Sequence, residues 1–218
     1  MQNVSIQLSL FDAIKDLLLV KPIFLLGVLV LGVVLGVLFR KDQTMPQRTK
    51  VRISVVSLLF YYYLAVMLTH IVGIPTLSEF MRLSRLGESF FHPNLNLIPF
   101  SDGVSLSFLL NIALFVPLGF LCPLLSKRYQ SLKNILLLGG GLSVAIELVQ
   151  LFTLYRATDV DDLITNLAGA LLGYACFWVM RKLVTRKSPA SHDFEEPKRL
   201  WCVPVVMIAT TFVLGFFS

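Results

Sequence analysis

Long runs of apolar residues, separated by short polar and charged stretches, set the pattern of this chain. Each of six runs is 18 to 22 residues long and contains at most one formal charge, and this is the length that an α-helix needs to cross a bilayer core. The pattern predicts an all-α fold, a membrane-embedded helical bundle with about six transmembrane helices. The runs are Pro22–Phe39, Ile53–Ile74, Val104–Leu125, Asn134–Leu154, Leu163–Met180 and Leu200–Phe217.

The composition narrows the classes of protein that fit. Of the 218 residues, 56% are hydrophobic and 15% are charged, and the mean hydropathy is +0.78, whereas soluble domains usually contain about 45–50% apolar residues. These values exclude a soluble enzyme, a soluble DNA-binding protein and a disordered chain. The sequence has no phosphate-binding loop, no metal-ligand spacing and no Gly-x-Ser-x-Gly motif, so we expect no cofactor and no metal.

Basic residues are concentrated in alternate loops. Fourteen of the 19 Lys and Arg residues lie in the loop after the first span, the loop between the third and fourth spans, and the stretch between the fifth and sixth. The positive-inside rule assigns these loops to the cytoplasm, which would place both termini outside the cell. The net charge of +6 therefore indicates orientation in a plasma membrane rather than a nucleic-acid partner.

The spans and loops divide the chain into four parts. Residues 1–52 contain an N-terminal segment, the first span and a basic cytoplasmic loop, and residues 53–184 form a core of four spans. Residues 185–199 form a polar cytoplasmic linker, and residues 200–218 form the last span. Apolar residues recur at helical spacing from Ile6 to Leu17, which fits either a helix on the outer membrane surface or the frayed start of the first span.

The outer segment between the second and third spans predicts two features. Thr76 and Glu79 have the spacing of a capping box, and Gly87 is a suitable stop, so we expect a short interfacial helix between them. The following apolar stretch contains Pro93 and Pro99, which disfavour a continuous helix. Its backbone should pack over the bundle or re-enter it.

Polar side chains within the spans fall at a similar depth near the outer side. They are Asn111, Glu147, Gln150 and Asn166, and Glu147 is the only formal charge in any span. A carboxylate at that depth costs a few kcal/mol, so Glu147 must be paired, neutral or facing water.

The loop before the fifth span carries Arg156, Asp159, Asp161 and Asp162. Its acids could cap the next helix, or Arg156 could pair with Glu147 as a packing anchor. The third alternative is an outward-facing polar pocket with Asn94 and Asn96 at its rim, formed by Asn111, Glu147, Gln150, Arg156, Asp161, Asp162 and Asn166. His70 and His92 also fall on this side and could join the acids around a cation, although nothing in the sequence requires one.

Small residues recur four apart in two spans. Gly32 and Gly36 in the first span, and Gly169 and Gly173 in the fifth, have the spacing that allows close helix packing in membranes. We predict that both faces contact a neighbouring helix.

Four linked motifs occur in order between Tyr61 and Arg181. They are Asn96–Phe100, Asn111 with Leu114–Gly119, Ile146–Gln150, and Arg156-x-x-Asp159-x-Asp161-Asp162-x-x-x-Asn166 continuing to Ala170. Together they resemble the VanZ family of bacterial membrane proteins. The resemblance implies a four-span core, a bacterial plasma-membrane location and an association with low-level resistance to teicoplanin, a glycopeptide that targets the outer-face peptidoglycan precursor.

The leading hypothesis is a protein that engages a lipid or lipid-linked envelope molecule from the outer leaflet. The candidate partners are a lipid-linked peptidoglycan precursor and a lipoglycopeptide. Arg156 would contact a phosphate or carboxylate, and the other ligand-binding candidates are Asn96, Asn111, Gln150, Asp159 and Asn166. The rival is an intramembrane hydrolase or transferase in which Glu147 acts as general acid or base near Asp161 and Asp162. A transporter is disfavoured because the sequence lacks a pair of inverted broken helices.

Overall fold

The computed structural model describes residues 19–42, 44–91, 93, 95–96, 98–99, 106–153, 158–185, 196–197 and 199–218. These residues form seven α-helices, which are α1 (Leu25–Lys41), α2 (Gln47–Val66), α3 (Leu77–Leu86), α4 (Leu106–Leu125), α5 (Leu132–Gln150), α6 (Val160–Thr185) and α7 (Cys202–Phe216). Short 3₁₀ helices lie at Pro22–Phe24 and Lys127–Gln130, a π-helical turn at Met67–Val72 extends α2, and strands β1 (Leu95–Asn96) and β2 (Thr158–Asp159) pair in parallel. The predicted N-terminal surface helix lies outside the described residues.

The described helices have the length and surface of a membrane protein. Five stretches are long and apolar enough to cross a membrane, and α7, at 15 residues, is a shorter apolar helix. Large apolar side chains such as Leu29, Leu137 and Val179 are 66%, 63% and 61% exposed, as a lipid-facing surface requires. The predicted all-α membrane bundle is confirmed.

Helices α4 and α6 form the most extensive helix–helix contact. A Cβ atom added to Gly169 would lie 2.1 Å from the carbonyl oxygen of Ile112, and one added to Gly173 would lie 2.0 Å from that of Val116. Only glycine therefore allows the two backbones to approach this closely. The predicted packing role of Gly169 and Gly173 is confirmed.

The same prediction for α1 is wrong. A Cβ atom added to Gly32 or Gly36 would have no described neighbour within 4 Å. Helix α1 instead packs through a different face, on which Leu31, Leu35 and Leu38 are buried in the core. Near its start the Tyr61 hydroxyl donates to the carbonyl oxygen of Phe24 at 2.7 Å, and the tyrosine ring occupies the space beside Gly27. The glycine spacing therefore does not by itself identify the face that packs.

The predicted interfacial helix is α3. Thr76 is its N-cap and its hydroxyl accepts a hydrogen bond from the Glu79 amide at 3.3 Å, while Gly87 ends the helix with a left-handed φ of 67°, which glycine adopts without strain. Phe80 stacks on Phe90 at a centroid distance of 4.5 Å. The capping pattern in the sequence therefore predicted both ends of α3.

Helix α7 is joined to the core by a carboxylate that precedes it. Glu196 accepts hydrogen bonds from the Ser126 hydroxyl and from the Lys127 amide, in the loop between α4 and α5. Ser126 is 2% exposed, so its hydroxyl is shielded from water. The end of the linker thus caps the 3₁₀ helix at Lys127–Gln130.

Replacing Glu196 should loosen this connection. We expect Glu196→Ala to lower the free energy of unfolding by about 2 kcal/mol, because a shielded hydroxyl and an amide lose a charged acceptor. Glu196→Gln should lower the free energy of unfolding less, since its side-chain amide oxygen still accepts a hydrogen bond. Thermal unfolding of the purified protein in detergent measures both, with the exposed Glu88→Ala as control. Equal melting temperatures for Glu196→Ala and the control would contradict the capping role.

Candidate functional site

The candidate site lies at one end of the bundle, where three helices and the strand pair meet. The start of α4, the end of α5 and the start of α6 converge there, and β1 pairs with β2 in the register Leu95 to Thr158 and Asn96 to Asp159. This pairing brings two motifs that are more than sixty residues apart in the sequence side by side. Residues that the chain separates therefore share one site.

Glu147 lies at the centre of the contacts. Its side chain is 8% exposed, and its Oε2 atom accepts a hydrogen bond from the Asp159 amide at 3.1 Å. Glu147 lies one turn before the end of α5 and faces β2, the strand that directly precedes α6. Its carboxylate can therefore reach the Asp159 amide. The buried carboxylate is thus stabilised by a backbone donor.

Asp159 links the strand pair to helix α6. Its carboxylate accepts from the Asn96 amide group at 3.3 Å and from the Asp161 backbone amide at 2.9 Å. The second bond is an N-cap, since α6 begins at Val160. Asp161 and Asp162 lie in the first turn of α6, so all three acids stand where the capping interpretation places them, and Asp162 makes a further contact to another helix.

Two further amide side chains join the helices across the site. Asn111 on α4 donates to the Asp162 carboxylate on α6 at 2.5 Å, and Asn166 on α6 donates to the Ser143 hydroxyl on α5 at 2.9 Å. Asn166 and Ser143 are 4% and 0% exposed. Asn111 and Asn166, which were predicted to lie at a similar depth, therefore each bond a neighbouring helix at this end of the bundle.

Two buried acceptors in this region are without partners among the described residues. They are the Oε1 atom of Gln150 and the Oδ1 atom of Asn166, and each residue is only 4% exposed. A buried carbonyl oxygen without a donor costs about 1–3 kcal/mol. Such atoms point to an additional donor at the site, such as a ligand or a water molecule.

The structure brings together most of the residues that the sequence predicted. Asn96, Asn111, Glu147, Asp159, Asp162 and Asn166 make the side-chain contacts described above, Gln150 lies one turn beyond Glu147, and Asp161 joins through its backbone amide. Arg156, Asn94 and His92 lie outside the described residues, so the proposed ion pair of Arg156 with Glu147 stays a prediction. The His70 ring nitrogen lies 2.9 Å from the carbonyl oxygen of Leu19.

Sequence reasoning missed two hydroxyl groups. Ser143 bonds Asn166, and Thr165 donates to the carbonyl oxygen of Asp161 at 2.7 Å. Ser143 lies four residues before Glu147, on the same face of α5, and this spacing could have identified it. Within the part of the chain that the structure describes, no three His, Cys, Asp or Glu residues are grouped to hold a metal ion.

The fold and the site define a multi-pass membrane protein with a buried carboxylate and amide cluster at one end of its helices. Residues 28–181 match the family model described as VanZ/LLP1, and the chain belongs to this family. The match begins within α1, earlier than the motif resemblance at Tyr61, and it ends in α6. All the candidate site residues lie inside it.

A curated relative supports the same assignment. The chain is 29% identical to Protein VanZ of Enterococcus faecium over 100 residues, which is 45% of this chain and 62% of the relative. The matched part thus spans less than two thirds of that relative. No solved structure matches the chain.

Proposed function

We propose that this protein binds a lipid or lipid-linked cell-envelope molecule through an outward-facing polar pocket, and that it thereby lowers susceptibility to teicoplanin. The positive-inside rule puts this end of the bundle outside the cell. The pocket is formed by the polar side chains that meet there, which we call the cluster around Glu147: Asn96, Asn111, Glu147, Asp159, Asp162 and Asn166. The termini are then extracytoplasmic, and the location is the bacterial plasma membrane. Family membership supports the link to glycopeptide resistance, because the member that gives the family its name is associated with low-level resistance to teicoplanin.

The unpaired acceptors of Gln150 and Asn166 carry the proposal. They are buried yet have no donor among the described residues, and they lie beside a carboxylate and amide cluster that is already ordered. Hydroxyl and amide groups of a glycan or peptide headgroup would supply the missing donors. Arg156, in the loop that joins α5 to β2, would add a cation for a phosphate or a carboxylate.

A specific observation also favours the rival function, an intramembrane hydrolase or transferase. Glu147 is a buried carboxylate next to Asp159, with Asp162 on the first turn of the adjacent helix. Closely spaced carboxylates in a shielded site suit general acid–base catalysis on a lipid-linked substrate. In this mechanism Glu147 would transfer the proton, and Asp161 and Asp162 would complete the acidic group.

The test is a susceptibility assay in a glycopeptide-sensitive Gram-positive host. We expect the wild type to raise the inhibitory concentration of teicoplanin severalfold, and Arg156→Ala to abolish the rise because the ligand loses its cation. Glu147→Gln retains an acceptor for the Asp159 amide, so near-complete loss in this variant indicates proton transfer and modest loss indicates binding. Membrane levels of all variants must match.

Two exposed residues on or just after α3 provide matched controls. Glu88→Gln and Arg85→Ala remove the same kinds of charge outside the cluster and should retain the full rise. Unchanged resistance in Arg156→Ala would contradict the binding role. If the wild type gives no rise, the teicoplanin function is wrong, and mass spectrometry of lipids that co-purify with the wild type but not with Arg156→Ala tests the pocket directly.

A further inference from the structure

The opposite end of the bundle carries two arginines stacked on tryptophans. The Arg128 guanidinium lies 4.6 Å from the ring centroid of Trp201, and that of Arg181 lies 4.9 Å from the ring centroid of Trp178. Both distances fall within the range of an attractive cation–π contact. The four residues come from the α4–α5 loop, the end of α6 and the start of α7, which all lie at this end.

The 3₁₀ helix Lys127–Gln130 orders both pairs. Arg128 belongs to it, and the next residue, Tyr129, donates from its hydroxyl to the carbonyl oxygen of Trp201 at 2.7 Å. Burial raises the pKa of Tyr129 well above its usual range, so the hydroxyl stays protonated and keeps donating. The backbone on each side of the Arg128–Trp201 stack is therefore fixed.

The second pair is held by the last residue of the same 3₁₀ helix. The side-chain oxygen of Gln130 accepts from Arg181 at 2.6 Å, and its backbone oxygen accepts from the Tyr174 hydroxyl at 2.7 Å. Trp178 also packs edge-on against Tyr174. One short helix thus positions two guanidinium groups before any ligand arrives, which lowers the entropy cost of binding.

The chemistry of these groups suits an anion at a membrane boundary. The guanidinium carbon of each arginine lies over the face of its tryptophan, and a guanidinium carries five N–H donors in a planar arrangement that matches a phosphate. Arg181 donates one of them to Gln130. Arg128 is exposed, and a shallow cleft beside the second pair is lined by Trp178, Val179, Arg181 and Lys182. Tryptophan favours the headgroup level of a bilayer, and the cleft combines positive charge with apolar surface.

We propose that Arg128 and Arg181, stacked on Trp201 and Trp178, bind the phosphates of anionic phospholipid headgroups. The site lies at the basic end of the bundle, which the positive-inside rule assigns to the cytoplasmic leaflet, and it does not depend on the cluster around Glu147. The apolar lining of the cleft favours a lipid over free phosphate, because the phosphate ion has no apolar part to bury.

The two tryptophans report on this site directly, because they are the only two in the chain. The full chain is reconstituted in phosphatidylcholine vesicles that contain increasing fractions of phosphatidylglycerol brominated in its acyl chains, and quenching of tryptophan fluorescence is recorded. Brominated phosphatidylcholine in unbrominated phosphatidylglycerol gives the reference. We expect the anionic lipid to quench with an apparent affinity about fivefold higher per arginine engaged.

The variant Arg128→Gln with Arg181→Gln should lose this preference and quench equally with both lipids. The matched control is Arg82→Gln with Arg85→Gln, which removes two exposed arginines from α3 and should retain it. The variant Arg128→Lys with Arg181→Lys should retain only part of the preference for the anionic lipid, since lysine keeps the charge without the planar donors. Circular dichroism and elution from a sizing column show whether each variant is folded.

Two results would overturn the proposal. One is equal quenching of the wild type by both lipids, and the other is a preference that survives in the folded Gln variant. Inorganic phosphate added to wild type in pure phosphatidylcholine vesicles distinguishes the two sources of phosphate. We expect no change in fluorescence, and a saturable change that the Gln variant lacks would mean that the site takes the free ion instead of the lipid.

Discussion

Gly173→Ala is expected to destabilise the bundle by about 3 kcal/mol or more, one of the two largest effects that we predict. The added methyl group would lie 2.0 Å from the carbonyl oxygen of Val116 and 2.9 Å from the amide nitrogen of Phe120. Both atoms belong to the backbone of α4, so no side-chain rotation relieves the overlap and the two helices must separate. Overpacking of this kind usually costs about 1–3 kcal/mol, and rigid backbone on both sides places this case at the upper end.

The measurement is thermal unfolding in detergent, together with the amount of protein that accumulates in the membrane. The chain offers controls of identical chemistry, because alanine at Gly141 on α5 or at Gly32 on α1 would meet no described atom within 4 Å. Those variants should match or slightly exceed the wild type, since alanine favours a helix over glycine by about 0.5–1 kcal/mol. A Gly173→Ala protein as stable as the controls would show that α4 and α6 are not in backbone contact.

The positions of the helices were predictable from the sequence, because apolar runs must be helical inside a bilayer. Their ends were less so. Hydropathy predicted a fifth span over Leu163–Met180, whereas α6 runs from Val160 to Thr185. A hydropathy window stops at charged residues such as Asp162 and Arg181, but the hydrogen bonds of the helix continue past them. Asp162 is bonded to Asn111, and Arg181 is exposed, so neither charge meets the lipid without a partner or solvent.

The candidate site was predictable in its members but not in its contacts. Depth along each span grouped Asn111, Glu147 and Asn166, since helical rise fixes depth. The strand pair joining Asn96 to Asp159 was not predictable, because two extended residues carry no periodic signal. The glycine faces show the same limit, since the spacing of Gly32 and Gly36 matches that of the packed pair on α6 but says nothing about whether a neighbour lies opposite.

Helix α6 connects the two ends of the molecule. Its first turns carry Asp162 and Asn166, which bond α4 and α5 in the polar cluster, and its last turns carry Trp178 and Arg181. Between them, glycines hold it against the backbone of α4. A helix fixed along its length to one neighbour cannot shift at one end alone, so we expect variants that separate α4 from α6 to impair both sites together.

The second large effect is expected for Asn111→Asp. Asn111 donates to the Asp162 carboxylate at 2.5 Å, and aspartate at this position would place two acceptors in contact where a donor and an acceptor now meet. Both residues are half-buried, so water only partly screens the repulsion. We expect a loss of about 2 kcal/mol or more in stability. We also expect this variant to lose any rise in the inhibitory concentration of teicoplanin that the wild type gives in the proposed assay.

The reversed pair separates this contact from general damage to the site. In Asn111→Asp combined with Asp162→Asn, the donor and acceptor exchange helices, and the double variant should recover most of the lost stability. Asp162→Asn alone should lower the stability less than Asn111→Asp does, because two side-chain amides can still form one hydrogen bond. If the melting temperature of the double variant falls by the sum of the two single changes, the residues are not coupled, and the bond between Asn111 and Asp162 does not stabilise the packing of α4 against α6.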